Sequence, residues 1–508
     1  MSPPATTIRP TLSPRISWAV FILIALLALA VRLPQLGVRP IHTDESINAY
    51  IIGQLLGGEK FHYDPQDRHG PALAAETLPV VRLFGVKQFA DLTESKLRLV
   101  PVLTGAATVL LVGAGVELFG FAACLVAALL FAFAPLPVYY SRDFIHETLF
   151  VAATLGLILS GWRMWQKRTL FSSALAGFCA ALMLACKETA VIHFFALAVA
   201  ISAVRLGAPI FKSASQDKFQ KLTEQETGVP AAKKILTAVA VFIFTSIVLF
   251  TWFGQNWTGF ADLFRAIPHL AARAGGEGHE KPFWYYGKLL AGGWSGAVIL
   301  GLATLGIFRA LKSGQQLWLV IYALLVLMIY SAIPYKTPWL ALNLWLPLAI
   351  FAGMAIEWIW FAMPKFTSRV LILFLLGGLA LLIAHDTRQR VFLNPTDEKN
   401  PFAYAQTSED LLRLPGRLKL VAQQNGIPNP RIAVVAADAW PLPWYLRKLS
   451  QVGFWQPGEA TGGADFFITT TDVPDKLAEQ LKGWRPEFFG VRPEVLLILW
   501  TPPVENKP

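Results

Sequence analysis

Hydrophobic residues in this chain come in long blocks separated by short polar segments, and the blocks are longer than the core helices of a water-soluble domain require. A helix that crosses a bilayer needs about 17 or more mostly apolar residues. Eleven stretches reach or approach that length: Ile16 to Leu36, Leu99 to Val116, Phe121 to Val138, Thr148 to Trp162, Leu170 to Cys186, Thr189 to Val204, Ile235 to Phe253, Lys288 to Phe308, Leu317 to Ile333, Trp339 to Phe361 and Val370 to Ala384. Lipid offers no partner to backbone N–H and C=O groups, so each stretch is expected as an α-helix. Between the first two lie shorter amphipathic patterns. Ile47, Tyr50, Ile51 and Leu55 follow at helical spacing, and Ala72 to Phe84 reads as an interfacial helix.

After Ala384 the pattern turns soluble. Pro415 to Gln424, Trp440 to Leu446 and Val473 to Leu481 read as helices, and Arg431 to Ala437, Phe466 to Thr470 and Val495 to Trp500 as strands. Their alternation predicts a small α/β domain. The expected fold is therefore mostly α: a polytopic transmembrane helical bundle over residues 1–384, then a soluble α/β domain over residues 385–508.

Composition supports the membrane reading. Of 508 residues 55% are hydrophobic and only 15% charged, with 17 Trp and 35 Phe. The formal charge of +11 does not point to nucleic acid, because the bases cluster in alternate loops. With the N-terminus cytoplasmic, one set of segments holds Arg9, Arg15, Arg163, Lys167, Arg168, Arg205, Lys212, Lys218, Lys221, Lys233, Lys234, Arg309, Lys312, Lys365 and Arg369, against Glu117, Asp217, Glu224 and Glu226. This is the positive-inside pattern of a multi-pass protein of the cytoplasmic membrane, and it sets the other loops and the C-terminal domain on the extracytoplasmic face. Ala28-Leu29-Ala30 resembles a signal cleavage site, but an uncleaved anchor is the preferred reading. Cys124, Cys179 and Cys186 fall in or at the ends of spans, which indicates neither a disulfide framework nor a zinc site. Lys212 to Lys234 reads as a solvated linker.

The extracytoplasmic loops carry the chemistry. The first, residues 37–98, is too long for a connector, and it opens with Ile41-His42-Thr43-Asp44-Glu45-Ser46. Thr43 is a good N-cap and acids suit a first helical turn, so the motif by itself is explained as a helix start. The companions of that motif change the balance. Tyr63 to Pro71, with Arg68 and His69, forms a turn-rich polar segment of the same loop. Tyr139 to Glu147 packs Arg142, Asp143 and His146 into a short connection, where Arg142 and Asp143 are expected to pair if they serve only structure. Lys187 and Glu188 alone interrupt more than thirty apolar residues, a costly placement unless they face a cavity or partner. Lys336 lies between Pro334 and Pro338, where snorkelling to headgroups is the plain alternative. Residues 256–287 contain Gly275, Gly276 and Gly278 and read as a loop able to gate a cleft. Asp438 to Tyr445 follows the first strand, a common ligand position in α/β domains, although packing on the membrane loops explains its aromatics equally well.

One membrane face thus gathers the carboxylates of Asp44, Glu45 and Asp143 with His69, Arg142, Lys187 and Lys336. A carboxylate can take a proton from an acceptor hydroxyl as it attacks, and cations can steady a departing phosphate. These are the parts required to transfer a sugar from a lipid phosphate, though residue types alone do not select that reaction.

The order of motifs resembles the GT-C superfamily of polyprenyl-phosphate-sugar-dependent glycosyltransferases, which includes protein O-mannosyltransferases and the lipid A aminoarabinose transferase. The resemblance rests on Thr43-Asp44-Glu45, Arg68-His69-Gly70-Pro71, Tyr140-Ser141-Arg142-Asp143 and Tyr335-Lys336-Thr337-Pro338-Trp339. Within it, His42 to Ser46, His69-Gly70-Pro71 and Trp440 to Tyr445 look most like bacterial and archaeal proteins labelled flippase-activity-associated. The family implies an inverting transfer with Asp44 as base, Glu45 in support and Asp143 as second acid. It sets Lys336, and with it His69, Arg142 and Lys187, near the lipid phosphate. It also implies a polyprenyl-phosphate-linked donor and a lipid, glycan or protein acceptor. Gly70-Pro71 stands where related sequences carry Pro-Pro, which weakens the role of His69. Metal use differs across the superfamily, which leaves a divalent metal open as a cofactor. The rival readings are a transport or flippase component that binds lipid-linked sugar without cleaving it, and a scaffold displaying the C-terminal domain.

Overall fold

The computed structural model describes residues 13–66, 68–166, 169–206, 229–276, 278–314, 316–459 and 463–503. Most of the expected linker from Lys212 to Lys234 therefore lies outside the described residues. Among those described, seven helices are long and apolar enough to cross a membrane and four shorter apolar helices accompany them, so the protein is an integral multi-pass membrane protein. In chain order these are α1 (Pro14–Arg32), α4 (Glu94–Ala114), α6 (Phe121–Phe133), α8 (Glu147–Gln166), α9 (Phe171–Cys186), α10 (Ala190–Leu206), α11 (Ala231–Phe250), α14 (Gly293–Ser313), α15 (Leu317–Ala332), α16 (Ala341–Ala362) and α17 (Phe366–Thr387). The intervening short helices are α2 (Thr43–Leu56), α3 (Ala72–Leu83), α5 (Val116–Phe119), α7 (Pro135–Tyr140), α12 (Thr258–Arg273) and α13 (Tyr285–Leu290).

The eleven apolar blocks correspond one for one to these membrane helices, and the differences at their ends have local causes. The block expected from Phe121 to Val138 splits into α6 and α7 because Ala134 precedes Pro135. A proline forces the residue before it out of the helical region, and Ala134 has ψ 147°. Expected loop residues 256–287 contain the amphipathic α12. Helix α16 runs through the middle of the bundle, while α1 and α17 leave most of their surface to lipid. Close packing around α16 depends on glycine. A Cβ at Gly353 would lie 2.4 Å from the Ala123 carbonyl oxygen, and one at Gly306 would lie 2.0 Å from that of Phe351.

The C-terminal domain is a five-stranded sheet in the order β2–β1–β3–β5–β4, built from β1 (Ile432–Val435), β2 (Val452–Trp455), β3 (Phe466–Thr470), β4 (Arg485–Arg492) and β5 (Val495–Thr501). Strands β1, β2 and β3 are parallel, and β5 pairs antiparallel to β3 and β4. Three helices accompany it: α18 (Leu414–Gln424), α19 (Leu442–Tyr445) and α20 (Asp475–Gln480). Helix α19 fastens the domain to the first loop. The fully buried Trp444 donates its indole N–H to Glu94 at 2.8 Å, Arg447 stacks on the Trp444 ring and donates to the Leu92 carbonyl, and the Tyr445 hydroxyl accepts from the Ile41 N–H at 3.2 Å. Packing is thus what Trp444 and Tyr445 do, while Asp438 and Trp440 stay partly exposed.

Candidate active site

Every polar loop singled out in the sequence meets the others at one end of the bundle. Helix α2 begins there, and its cap is not Thr43 but His42. The His42 backbone is extended, with ψ 157°, and its Nδ1 accepts from the Asp44 N–H at 3.1 Å while the Glu45 carboxylate reaches back to the His42 N–H at 2.9 Å. That reciprocal capping leaves Thr43 in the first helical position. With Nδ1 accepting, the His42 proton resides on Nε2, which donates to the Tyr404 carbonyl at 3.0 Å.

Asp44 and Glu45 therefore face opposite environments. Glu45 is fully buried and saturated: Arg98 donates through Nε and one Nη at 2.7 Å each, and the N–H groups of His42 and Phe144 supply two more bonds. Burial alone would raise the Glu45 carboxyl, but Arg98, and behind it Arg39 and the His42 N–H, hold it at about 2. Arg98 spends its remaining donors on the carbonyls of Leu36, Arg39 and Pro40. The pair thus pins the chain leading into α2. Asp44 is half-exposed one residue earlier, and among the described residues its carboxylate makes no hydrogen bond or ion pair to another side chain.

Arg142 and Asp143 do not pair with each other. Arg142 turns back to the end of α1, where it donates to the carbonyls of Arg32, Pro34 and Gln35 and covers the Phe392 ring. It bonds the last carbonyl of α1 and those of the turn that follows, and it does not line the cleft that Asp143 enters. Asp143 pairs with Arg39, whose guanidinium lies 4.6 Å from the Tyr139 ring centroid. The cleft is lined by His42, Asp143, Trp339, Phe402, Tyr404 and Gln406, among others. Tyr404 also feels the Asp44 charge: burial first, then Tyr335 and Asp44, push its hydroxyl upward.

Lys336 lies in the turn that leads to Trp339, one of the residues lining that cleft. It is buried, and its ammonium donates to the carbonyls of Lys281 and Ile333 rather than reaching toward headgroups. Its own N–H bonds the His279 carbonyl, and the His279 ring meets the Tyr404 hydroxyl at 2.6 Å. Lys281 lies over the Tyr404 ring. The glycine-bearing segment expected as a gate is thus stitched to the Pro334–Lys336 turn beside Tyr404. No carboxylate neutralises Lys336 among the described residues.

A second polar cluster lies one turn along α2. Asn48, four residues after Asp44 and so on the same helical face, donates to the Phe144 carbonyl and borders a small cleft with His69 and His146. His69 bonds Glu188 at 3.1 Å, Tyr63 donates to the same carboxylate at 2.7 Å, and Lys187 is paired with Glu147. Burial opposes the Glu188 charge, but His69 and Tyr63 hold the carboxyl at about 2. Burial, then the nearby His69 and Lys187, push His146 well below the usual imidazole range. His69 and Lys187 therefore come together, each already balanced by an acid.

Three participants escaped the sequence reading. Arg39 and Arg98 were one helix-end charge each in a polar loop, and Tyr404 carried no local signal. Their partners lie roughly 50 to more than 350 residues away in the chain. The described residues gather no group of three or more His, Cys, Asp or Glu side chains suited to a metal ion. Asp143, the acid that metal-using relatives would offer, already carries the Arg39 guanidinium. Among the described residues these side chains do not form a cation cage.

Comparison with known proteins places this geometry. Residues 79–215 match the family model described as dolichyl-phosphate-mannose-protein mannosyltransferase. No curated protein matches the chain in sequence. Among solved structures, ArnT from Cupriavidus metallidurans bound to undecaprenyl phosphate superposes with a TM-score of 0.63 at 13% identity, over 96% of this chain and 98% of that one. The Archaeoglobus fulgidus oligosaccharyltransferase AglB, in complex with an inhibitory peptide and a dolichol-phosphate, gives 0.53 at 12% identity, over 94% of this chain and 74% of that one. The fold is the one seen in these two solved structures.

Proposed function

We propose that this GT-C scaffold transfers a sugar from a polyprenyl-phosphate-linked donor to an acceptor hydroxyl, at the extracytoplasmic face of the membrane. The observation that carries the reading is the division of labour among charges at one end of the bundle. Glu45, Asp143, Glu147 and Glu188 are each neutralised by a cation or histidine, whereas Asp44, at the start of α2, is half-exposed and has no side-chain partner among the described residues. A buried cation without a counter-ion is costly, and Lys336 is such a cation, held only by carbonyls.

In the reaction Asp44 takes the proton of the acceptor O–H as that oxygen attacks the anomeric carbon. The bond from the anomeric carbon to the phosphate oxygen breaks, and the phosphate leaves with the electron pair toward Lys336. Attack and departure on opposite sides of the carbon give inversion. Glu45 and Arg98 act as positioning residues that hold the first turn of α2, and Asp143 with Arg39 shapes the cleft wall. His69 and Lys187 sit one helical turn away, where they flank the donor headgroup. Trp440 packs its ring on Tyr50 of α2, and Asp438 pairs with Arg492, which reaches the Thr43 hydroxyl beside Asp44.

The test is reconstitution in vesicles with a panel of polyprenyl-phosphate sugars, chosen by comparing lipids and glycans of cells with and without the protein. Wild-type protein is expected to transfer one of them, and Asp44→Asn to lose transfer by a factor of about 10²–10⁴, the usual value of a general base, while still binding polyprenyl phosphate. Full transfer by Asp44→Asn would remove the base assignment. Donor translocation without cleavage by wild-type protein would favour the transport reading.

A further inference from the structure

At the end of the bundle away from Asp44 lies a cavity of about 420 Å³. Its walls come from the distal halves of α8, α9, α10 and α11 and from Trp318 at the start of α15, and they are almost wholly carbon. The room is built in rather than left by loose packing. Beside the cavity α9 and α11 are locked together, since a Cβ at Gly177 would lie 2.0 Å from the Ala238 carbonyl oxygen. Gly161 on α8 differs, because a Cβ there would meet nothing within 4 Å. Water gains little in such a place: an apolar cavity of about 150 Å³ stays dry and takes up apolar ligands instead. At this depth in a membrane the available ligand is a hydrocarbon chain.

The mouth decides which hydrocarbon. Arg205 lines the cavity and is held over the Trp165 ring, 5.2 Å from its centroid. Nearby, Arg163 on the last turn of α8 donates to the Ala114 carbonyl, and Lys233 opens α11 on its exposed face beside the buried Lys234, so Arg205 is the basic group of the lining itself. The described residues at these helix ends include no Asp or Glu. Trp162 and Trp165 supply the amphipathic rings found where acyl chains give way to headgroups. Basic pockets between membrane helices recognise anionic lipid headgroups.

The geometry points to a binding site for an anionic phospholipid of the leaflet opposite the candidate active site, with acyl chain in the cavity and phosphate at Arg205. This site is independent of the transfer reaction, and its test involves no donor. The full-length protein, purified in detergent, is incubated with phosphatidylglycerol, phosphatidylcholine or undecaprenyl phosphate, and the lipid retained is read by native mass spectrometry. Wild-type protein is expected to retain phosphatidylglycerol over phosphatidylcholine by about fivefold, the value of one basic side chain facing an anionic lipid. Gly161→Phe, which fills the open space, should abolish retention. Arg205→Gln, an exposed change that leaves the helices intact, should remove the preference for the anionic lipid. Equal retention of both phospholipids, or unchanged retention by Gly161→Phe, would overturn the proposal. Displacement of phosphatidylglycerol by undecaprenyl phosphate in proportion would overturn it too, by making the cavity the seat of a polyprenyl tail.

Discussion

Two neighbouring carboxylates should respond to the same chemical change in opposite ways, and the contrast can be worked out from their surroundings. Glu45→Gln keeps the shape of the side chain but removes the charge that balances Arg98, which is 1% exposed and carries two 2.7 Å bonds to that carboxylate. Breaking a buried ion pair from one side costs about 3–5 kcal/mol, because the remaining charge stays buried. Melting shifts by about 1–2 °C per kcal/mol in a chain of this length, scaling from smaller domains, so the variant should melt roughly 3–10 °C lower. The amide nitrogen also presents a donor where one of the N–H groups of His42 and Phe144 needs an acceptor, which points toward the upper part of that range. Asp44→Asn removes no side-chain partner. Its cost is the favourable interaction of a carboxylate with the N-terminus of α2, about 0.3–1 kcal/mol, so its melting point should stay within a degree or two of wild type while transfer fails. Removing both members of the buried pair, as Glu45→Gln with Arg98→Met, should cost less than the sum of the single changes. The assay is thermal unfolding in detergent beside transfer in vesicles, on the same preparations. A Glu45→Gln protein that melts like wild type, or an Asp44→Asn protein that unfolds early and transfers normally, would refute the assignment of structure to one acid and chemistry to the other.

Three further outcomes are expected. Arg142→Met should remove the guanidinium bonds to the Arg32, Pro34 and Gln35 carbonyls and so expose the chain after α1 to limited proteolysis. Arg142→Lys should restore little, because one ammonium cannot span three acceptors in a fixed fork. Lys336→Met should weaken binding of polyprenyl phosphate in a vesicle-binding assay and loosen the 278–281 segment, whereas unchanged affinity would confine Lys336 to bonding carbonyls. Glu45 and Glu188 are both held near 2, below the ordinary carboxylate value of about 4.5, so their contribution is complete above about 4.5 and is lost progressively as pH falls toward 2. His146, depressed well below 6.5, adds stability above that value that weakens on acidification, so melting temperature should decline below about pH 6.5 and steeply below 4.5. A pH-independent melting point across that span would contradict both readings.

The order and number of membrane helices were legible because lipid imposes one rule on every span: about 17 or more apolar residues with all backbone groups paired internally. The same legibility reached the central strands β1, β3 and β5, whose apolar runs reflect burial. It did not reach β2 and β4, the two edges of the sheet, which bury little and carry Gly453 or begin with Arg485-Pro486. Candidate acids and bases were legible as types in polar loops on one face. What each one touches was not, because hydrogen-bond partners are set by where distant segments land. A purely structural role would pair Arg142 with its neighbour Asp143, yet Arg142 bonds carbonyls at the end of α1 and just after it, and the salt bridge comes from Arg39, more than a hundred residues earlier. The sequence by itself determined that Asp44 and Glu45 sit side by side at a helix start. Only the tertiary structure decided that one is neutralised by Arg98 and the other is left open, since successive helical residues point about 100° apart and meet different neighbours.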